Sequence, residues 1–223
     1  MPSDDNLASQ PTISRFENSL TKRDICRIAK VLVELFIASY ETRPEGIILD
    51  IDDTDDPTHG AQQLSLFNGY HDAYCFQPLF IFEGQSGKLI TSILRPGKRP
   101  SGKETCAIIK RVVTLIRSAW PTVGIIIRGD SHFATPELFA WCDSHNVDFI
   151  VGLTSNNVLM SHTDNALAAA RRYYKTSGMI TRTFREIKYQ AGTWHREIRV
   201  IIMAEVSAKG DNIRFIVTSL ESS

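Results

Sequence analysis

Long apolar runs, paired cysteines and a surplus of either charge are all missing from this 223-residue chain. No apolar segment approaches the roughly 20 residues of a membrane span. Met1 to Gln10 is polar and acidic where a secretory leader would be apolar. The four cysteines, Cys26, Cys75, Cys106 and Cys142, lie far apart with no C-x-x-C pair. That scatter predicts reduced core thiols in a cytoplasmic protein, and argues against a zinc site or a disulfide frame. Lys+Arg 25 balances Asp+Glu 25, so net charge neither suggests nor excludes a nucleic-acid partner. No internal repeat is visible. A hydrophobic share of 43% excludes wholesale disorder, and the length allows one sizeable core or two small ones.

What the chain does have is an acidic block. Gly46-Ile47-Ile48-Leu49 reads as a buried strand, and the next seven positions, 50–56, hold five aspartates. A strand ending in crowded acids presents them at the C-terminal edge of a sheet, where open α/β folds gather ligands. Crowded like charges are unfavourable unless a cation sits among them. A solvated acidic turn is the bland reading. Against it, the pattern recurs: Gly124-Ile125-Ile126-Ile127-Arg128-Gly129-Asp130 is a second short apolar strand ending in Asp. Bases gather at Arg95, Lys98, Arg99, Lys103, Lys110 and Arg111, with more between Arg171 and Arg199. An acidic centre with basic flanks suits a polyanion held over a metal, although mixed surface charge gives the same counts.

Taken in order, residues 1–12 read as a frayed polar tail. Helical spacing from Thr21 to Tyr40 follows, with Thr21 and Asp24 as a start signal. After the strand Gly46–Asp52 and a loop at 57–63, the apolar runs Ala73–Phe82 and Lys88–Leu94 predict an antiparallel meander. Ser101 and Glu104 form a capping box for a helix closed by Pro121. The strand to Asp130 comes next, then a helix opened by Thr135-Pro136 and a fifth strand at 149–152. From 154 onward the texture changes to an Ala-rich helix and three longer strands, which suggests a β-rich insertion. The expected division is an N-terminal segment at 1–45, a core at 46–153 and an insertion at 154–223. Three strands, a helix, a strand, a helix and a strand is the order of a ribonuclease-H-like α/β fold of the retroviral-integrase type, a mixed sheet with flanking helices. In it the first and fourth strands lie side by side, which would bring Asp52 and Asp130 to one edge.

Two chemistries fit the acids. Asp50-Ile51-Asp52-Asp53-Thr54 matches the nucleophile loop of haloacid-dehalogenase-type phosphatases, with Asp50 as nucleophile and Asp52 as acid/base. Yet no helix follows that loop, and Ala134 stands where a second metal-loop acid is needed. A calcium loop fails because Asp55 and Ala61 occupy the glycine and terminal Glu positions. The other chemistry is phosphodiester cleavage and transfer by two magnesium ions about 4 Å apart, which stabilise attacking and leaving oxygens together. Trp120, Trp141 and Trp194 read as core aromatics. Arg128 reads either as a phosphate contact or as half of an ion pair. His132 either touches DNA or a metal-bound water, or is a hydrogen-bonded residue ahead of the Thr135 helix, and His59 is similarly ambiguous.

Several blocks carry a resemblance. Leu7 to Asn18, Leu49-Asp50-Ile51-Asp52-Asp53-Thr54 with Asp56 to Gln62, Leu94-Arg95-Pro96-Gly97, Arg128-Gly129-Asp130-Ser131-His132-Phe133 and Arg214 to Leu220 appear in that order. Together they resemble the cut-and-paste transposases of bacterial insertion sequences, DDE domain group 1. The resemblance implies Asp52 and Asp130 as catalytic, metal-binding acids, with Asp50 as the fallback for the first. It implies two Mg2+ ions, with Mn2+ as a substitute. Arg95, Lys98, Arg99 and Arg128 are the expected DNA contacts, with Lys98 and Arg99, on a Pro/Gly loop, better phosphate candidates than Arg128. The partners it implies are transposon ends and target DNA, with a homodimer at full length, no membrane, and a bacterial cytoplasmic location associated with the nucleoid. The family's third acid is a Glu on a helix after the late strand. The chain stops at Ser223 before such a helix, and Glu186 sits in a strand-like segment at the wrong spacing. The expectation is therefore a fragment trimmed at both ends and inactive by itself. A fragment that only binds DNA or a full-length copy is the remaining alternative.

Overall fold

The computed structural model describes residues 8–60, 62, 65–98 and 100–221. In chain order the elements are α1 (Gln10–Ser19), α2 (Lys22–Ala38), β1 (Gly46–Asp53), β2 (Asp56–Pro57), β3 (Leu66–Asn68), β4 (Ala73–Phe76), β5 (Leu79–Glu83) and β6 (Leu89–Ile93). There follow α3 (Gly102–Ala119), β7 (Gly124–Gly129), α4 (Pro136–His145), β8 (Asp148–Leu153), α5 (Asn157–Ser161), α6 (Asp164–Ser177), β9 (Thr181–Tyr189), β10 (Ile198–Ser207) and β11 (Gly210–Thr218).

Local chemistry sets the helix starts. Thr21 with Asp24, and Ser101 with Glu104, each close a reciprocal capping box that satisfies two orphan backbone donors. Thr135 caps α4, Pro136 supplies a preset φ, and Asn146 ends the helix in the left-handed region at φ 51°. One expected tail residue range, 10–12, is instead the first turn of α1, a helix with no buried residue. Residues 1–7 lie outside the described part of the chain.

The main sheet has eight strands in the order β6-β5-β1-β7-β8-β11-β10-β9. The β1–β7 and β7–β8 pairs are parallel, and the other pairs are antiparallel. Ile47, Leu49 and Ile51 of β1, Ile125 and Ile127 of β7, and Phe149 and Val151 of β8 are buried in one cluster with Ile109, Val112, Val113 and Ile116 of α3. Each such side chain contributes about 1.5–3 kcal/mol through burial. Period-2 alternation then turns Ile48, Asp50 and Asp52 to the opposite face of β1. All three tryptophans are buried: Trp120 packs edge-on against Phe36 and Tyr40, and Trp194 against Phe139 and Tyr189.

The meander β1-β5-β6 forms as expected, but the run Ala73–Phe82 does not stay in one sheet. It splits at Gln77-Pro78, and β4 leaves to pair with β2 and β3 in a separate three-stranded sheet. Pro78 has no N–H to offer a ladder, so the break falls there. The late strands, in turn, continue the main sheet from β8 through β11, with α6 packed on β9 and β10. Three cysteines are core thiols, whereas Cys26 on α2 is exposed. Among the described residues no helix is long and apolar enough to cross a membrane.

Candidate active site

The parallel β1–β7 ladder runs from Gly46 opposite Gly124 to Ile51 opposite Gly129. The next residue on each strand is an acid, so Asp52 and Asp130 leave the same edge of the sheet side by side. Two glycines let the Asp130 turn lie flat there. A Cβ on Gly129 would come within 2.8 Å of Ile51 and Phe133, and one on Gly152 within 2.9 Å of the Ser131 backbone nitrogen. Asp130 then caps a single 3-10 turn, Ser131–Phe133, by accepting the His132 backbone N–H at 2.9 Å.

Electrostatics register the closeness. Although Asp52 is exposed, its carboxyl is pushed above the usual carboxylate range, first by partial desolvation, then by the charges of Asp130 and Asp53. A hydrogen bond from the Asp53 backbone offsets this in part. A hard oxygen-donor pair whose ionised state is strained by mutual repulsion fits a divalent cation such as magnesium. Among the described residues, no group of three or more His, Cys, Asp or Glu is placed to hold a metal.

Asp50 lies on the same face as Asp52 but is already engaged. Arg128 grips both of its oxygens through Nε and Nη2, and that pairing raises the Arg128 pKa. Arg128 is thus half of an ion pair that occupies both Asp50 oxygens. Glu186 is likewise taken, by Arg199. Three more bases of the late stretch are engaged in the same way, Arg171 on Asp211, Arg182 on Glu205 and Arg196 on Asp143.

Arg95 requires a correction. Expected at the DNA surface, it is buried, with a side chain only 8% exposed. Its Nε donates to the Gln77 carbonyl at 2.8 Å and its Nη2 to Asp53 at 2.8 Å, while the buried Nη1 has no partner among the described residues. The cause is the strand period: Asp53 is in phase with Ile47, Leu49 and Ile51, so its carboxylate faces inward and needs a cation. His132 reaches the same carboxylate, with Nδ1 3.3 Å from Asp53 Oδ1. Asp53 was singled out by no motif; its phase with the three apolar residues was the available signal.

Two hollows meet at Pro100. One, about 230 Å³, is bounded by Asp53, His132, Phe133, Thr135 and the start of α3. The other, about 540 Å³, is lined by Leu66, Pro96 and Ile108 together with Arg95, Lys98 and Arg111. Lys98 and Arg111 are exposed and make no salt bridge among the described residues, and the carboxylate of Glu104 there is occupied by its capping box. Arg99 lies outside the described residues. His59 is exposed in the loop after β2.

A five-strand core in the order β6-β5-β1-β7-β8, with acids ending its two central parallel strands, defines a ribonuclease-H-like domain. The chain belongs to the family described as Transposase DDE domain group 1, which matches residues 1–223. Among solved structures, it is similar to the piggyBac transposase in a synaptic complex with hairpin DNA, with TM-score 0.54 and 13% identity over 96% of this chain. The match spans 40% of the length of that transposase. More distant likenesses are to endonuclease V of Ciona intestinalis bound to inosine-containing DNA (TM-score 0.37, 12% identity, 92% of this chain and 86% of that one) and to the NurA nuclease of Sulfolobus solfataricus (0.40, 10%, 97% and 83%). No curated protein matches by sequence.

Proposed function

We propose that this chain is the catalytic core of a DNA transposase, which hydrolyses phosphodiesters and transfers strands at magnesium held by Asp52 and Asp130, with manganese as a substitute. The observation that carries the reading is the exit of both acids from neighbouring parallel strands, with the charge of Asp130 acting on Asp52. When bound, the metal supplies Lewis-acid stabilisation of the attacking and leaving oxygens. The protein's own part is placement. Asp52 and Asp130 offer the oxygen ligands, and the Lys98–Arg111 groove holds backbone phosphates beside them by charge complementarity. Transposon ends and target DNA are the partners, a homodimer is the working form at full length, and the compartment is the bacterial cytoplasm.

Among the described residues no third acid is placed with Asp52 and Asp130, so turnover is a poor readout for these two side chains. The direct test is therefore metal binding. Titration with Mn2+ should show uptake by the chain and at least tenfold weaker uptake by Asp52→Asn and by Asp130→Asn, in line with the loss of a ligand. Equal uptake by all three proteins would remove the assignment. A phosphoryl adduct trapped on Asp50 would instead revive the phosphatase reading.

A further inference from the structure

We infer that Arg95, Asp53 and His132 form a brace that sets the spacing of Asp52 and Asp130, with His132 as its positioning residue. The inference rests on the metal-site reading above and adds residues to it.

The sheet itself does not hold both acids. The β1–β7 ladder ends at Ile51 opposite Gly129, and the β7–β8 ladder ends at Gly129 opposite Val151. Asp130 therefore lies beyond the last rung on either side, while Asp52 and Asp53 remain paired with β5 through Phe80 and Leu79. Something other than backbone pairing has to fix one acid relative to the other. His132 makes two contacts suited to that task. Its backbone N–H holds the Asp130 carboxylate at 2.9 Å, and its ring Nδ1 lies 3.3 Å from Asp53 Oδ1. Asp53 is the residue directly after Asp52, and its side chain, 6% exposed, is clamped from the other side by the Arg95 guanidinium at 2.8 Å. A line of polar contacts thus runs from Arg95 through Asp53 and His132 to Asp130.

Packing alone does not explain the ring position, because the His132 side chain is still 38% exposed and borders the 230 Å³ hollow. Three segments far apart in the sequence, ending in Asp53, Arg95 and His132, meet at one carboxylate. Sites of this kind need their ligands held to within about 0.5 Å by a supporting shell. The brace is that shell, joining the turn that carries one acid to the strand that carries the other.

The test uses the whole chain, Mn2+ as the probe, and electron paramagnetic resonance to count free metal. His132→Leu keeps the backbone N–H on Asp130 and removes only the ring contact, so it should weaken Mn2+ binding by about tenfold. Its melting temperature should stay close to that of the parent. His132→Asn, whose side-chain amide can still reach Asp53, should restore most of the affinity, which a merely space-filling role would not predict. Parent-like Mn2+ affinity in His132→Leu, with binding abolished by Asp52→Asn, would overturn the brace and leave the metal site standing. Failure of His132→Asn to recover affinity would also overturn it. If the parent takes up no Mn2+, the site reading falls and the brace falls with it.

Discussion

Replacing Arg95 by Met tests whether this residue is a buried strut or a DNA contact. The guanidinium stem fits Met in length, so the chief loss is charge and hydrogen bonding. Two bonds disappear, to the Gln77 carbonyl and to Asp53, and the Asp53 carboxylate is left buried beside an apolar neighbour. Removing one partner of a buried ion pair typically costs about 3–5 kcal/mol. The lower end applies here, because Arg95 Nη1 is already buried without a partner among the described residues, so the native pair starts with a penalty. At about 2–4 °C per kcal/mol for a chain of this length, the expected fall in melting temperature is roughly 6–12 °C. Thermal unfolding followed by circular dichroism measures that fall, and urea unfolding measures the free-energy cost. The double variant Asp53→Leu with Arg95→Met should recover most of the loss, since a matched apolar pair is often as stable as a buried ion pair. A cost below about 1 kcal/mol, the value of an exposed pair, would refute the buried arrangement. So would a single variant that stays fully stable and loses only DNA affinity.

Two other predictions follow from the site. Lys98→Ala and Arg111→Ala should each weaken DNA binding at low salt and flatten the slope of log K against log salt by about 0.9 per lost phosphate contact, as read by fluorescence anisotropy. An unchanged slope in both would place the DNA elsewhere. Asp52→Asn should raise the melting temperature in chelator at pH 7, because the folded state holds the Asp52 proton more tightly than the unfolded chain does. The ionised carboxylate therefore costs stability above its raised pKa, and the advantage of Asn should vanish as pH falls through that value. An advantage that persists in acid would show the effect is not ionic.

The parts of this fold that could be read from sequence are those whose causes lie within a few residues. The boxes Thr21/Asp24 and Ser101/Glu104 and the Thr135-Pro136 start each depend on neighbours three positions apart, and all three open helices where expected. The strand order placed the two acid-ending strands together because chain connectivity restricts how such elements pack. The failures share a different cause. Whether Ala73–Phe82 continues in one sheet depends on which strands compete for its edges, and Arg95 and Asp53 are 42 positions apart in the sequence. Arg171 and Arg196 looked available to DNA because their carboxylate partners, Asp211 and Asp143, come from distant elements. Side-chain identity was legible; side-chain direction was legible only where alternation could be counted, as it can for Asp53.

Adjacent aspartates on β1 face opposite ways, one toward solvent and its neighbour into the Arg95 clamp. A slip of the strand by a single residue would exchange them, putting the carboxyl proposed to bind metal in the interior and the clamped one outside. The guanidinium accepts only one of those two phases. Strand alignment, normally enforced by greasy side chains, is here also checked by an ionic lock one position from the place where misalignment would do most harm.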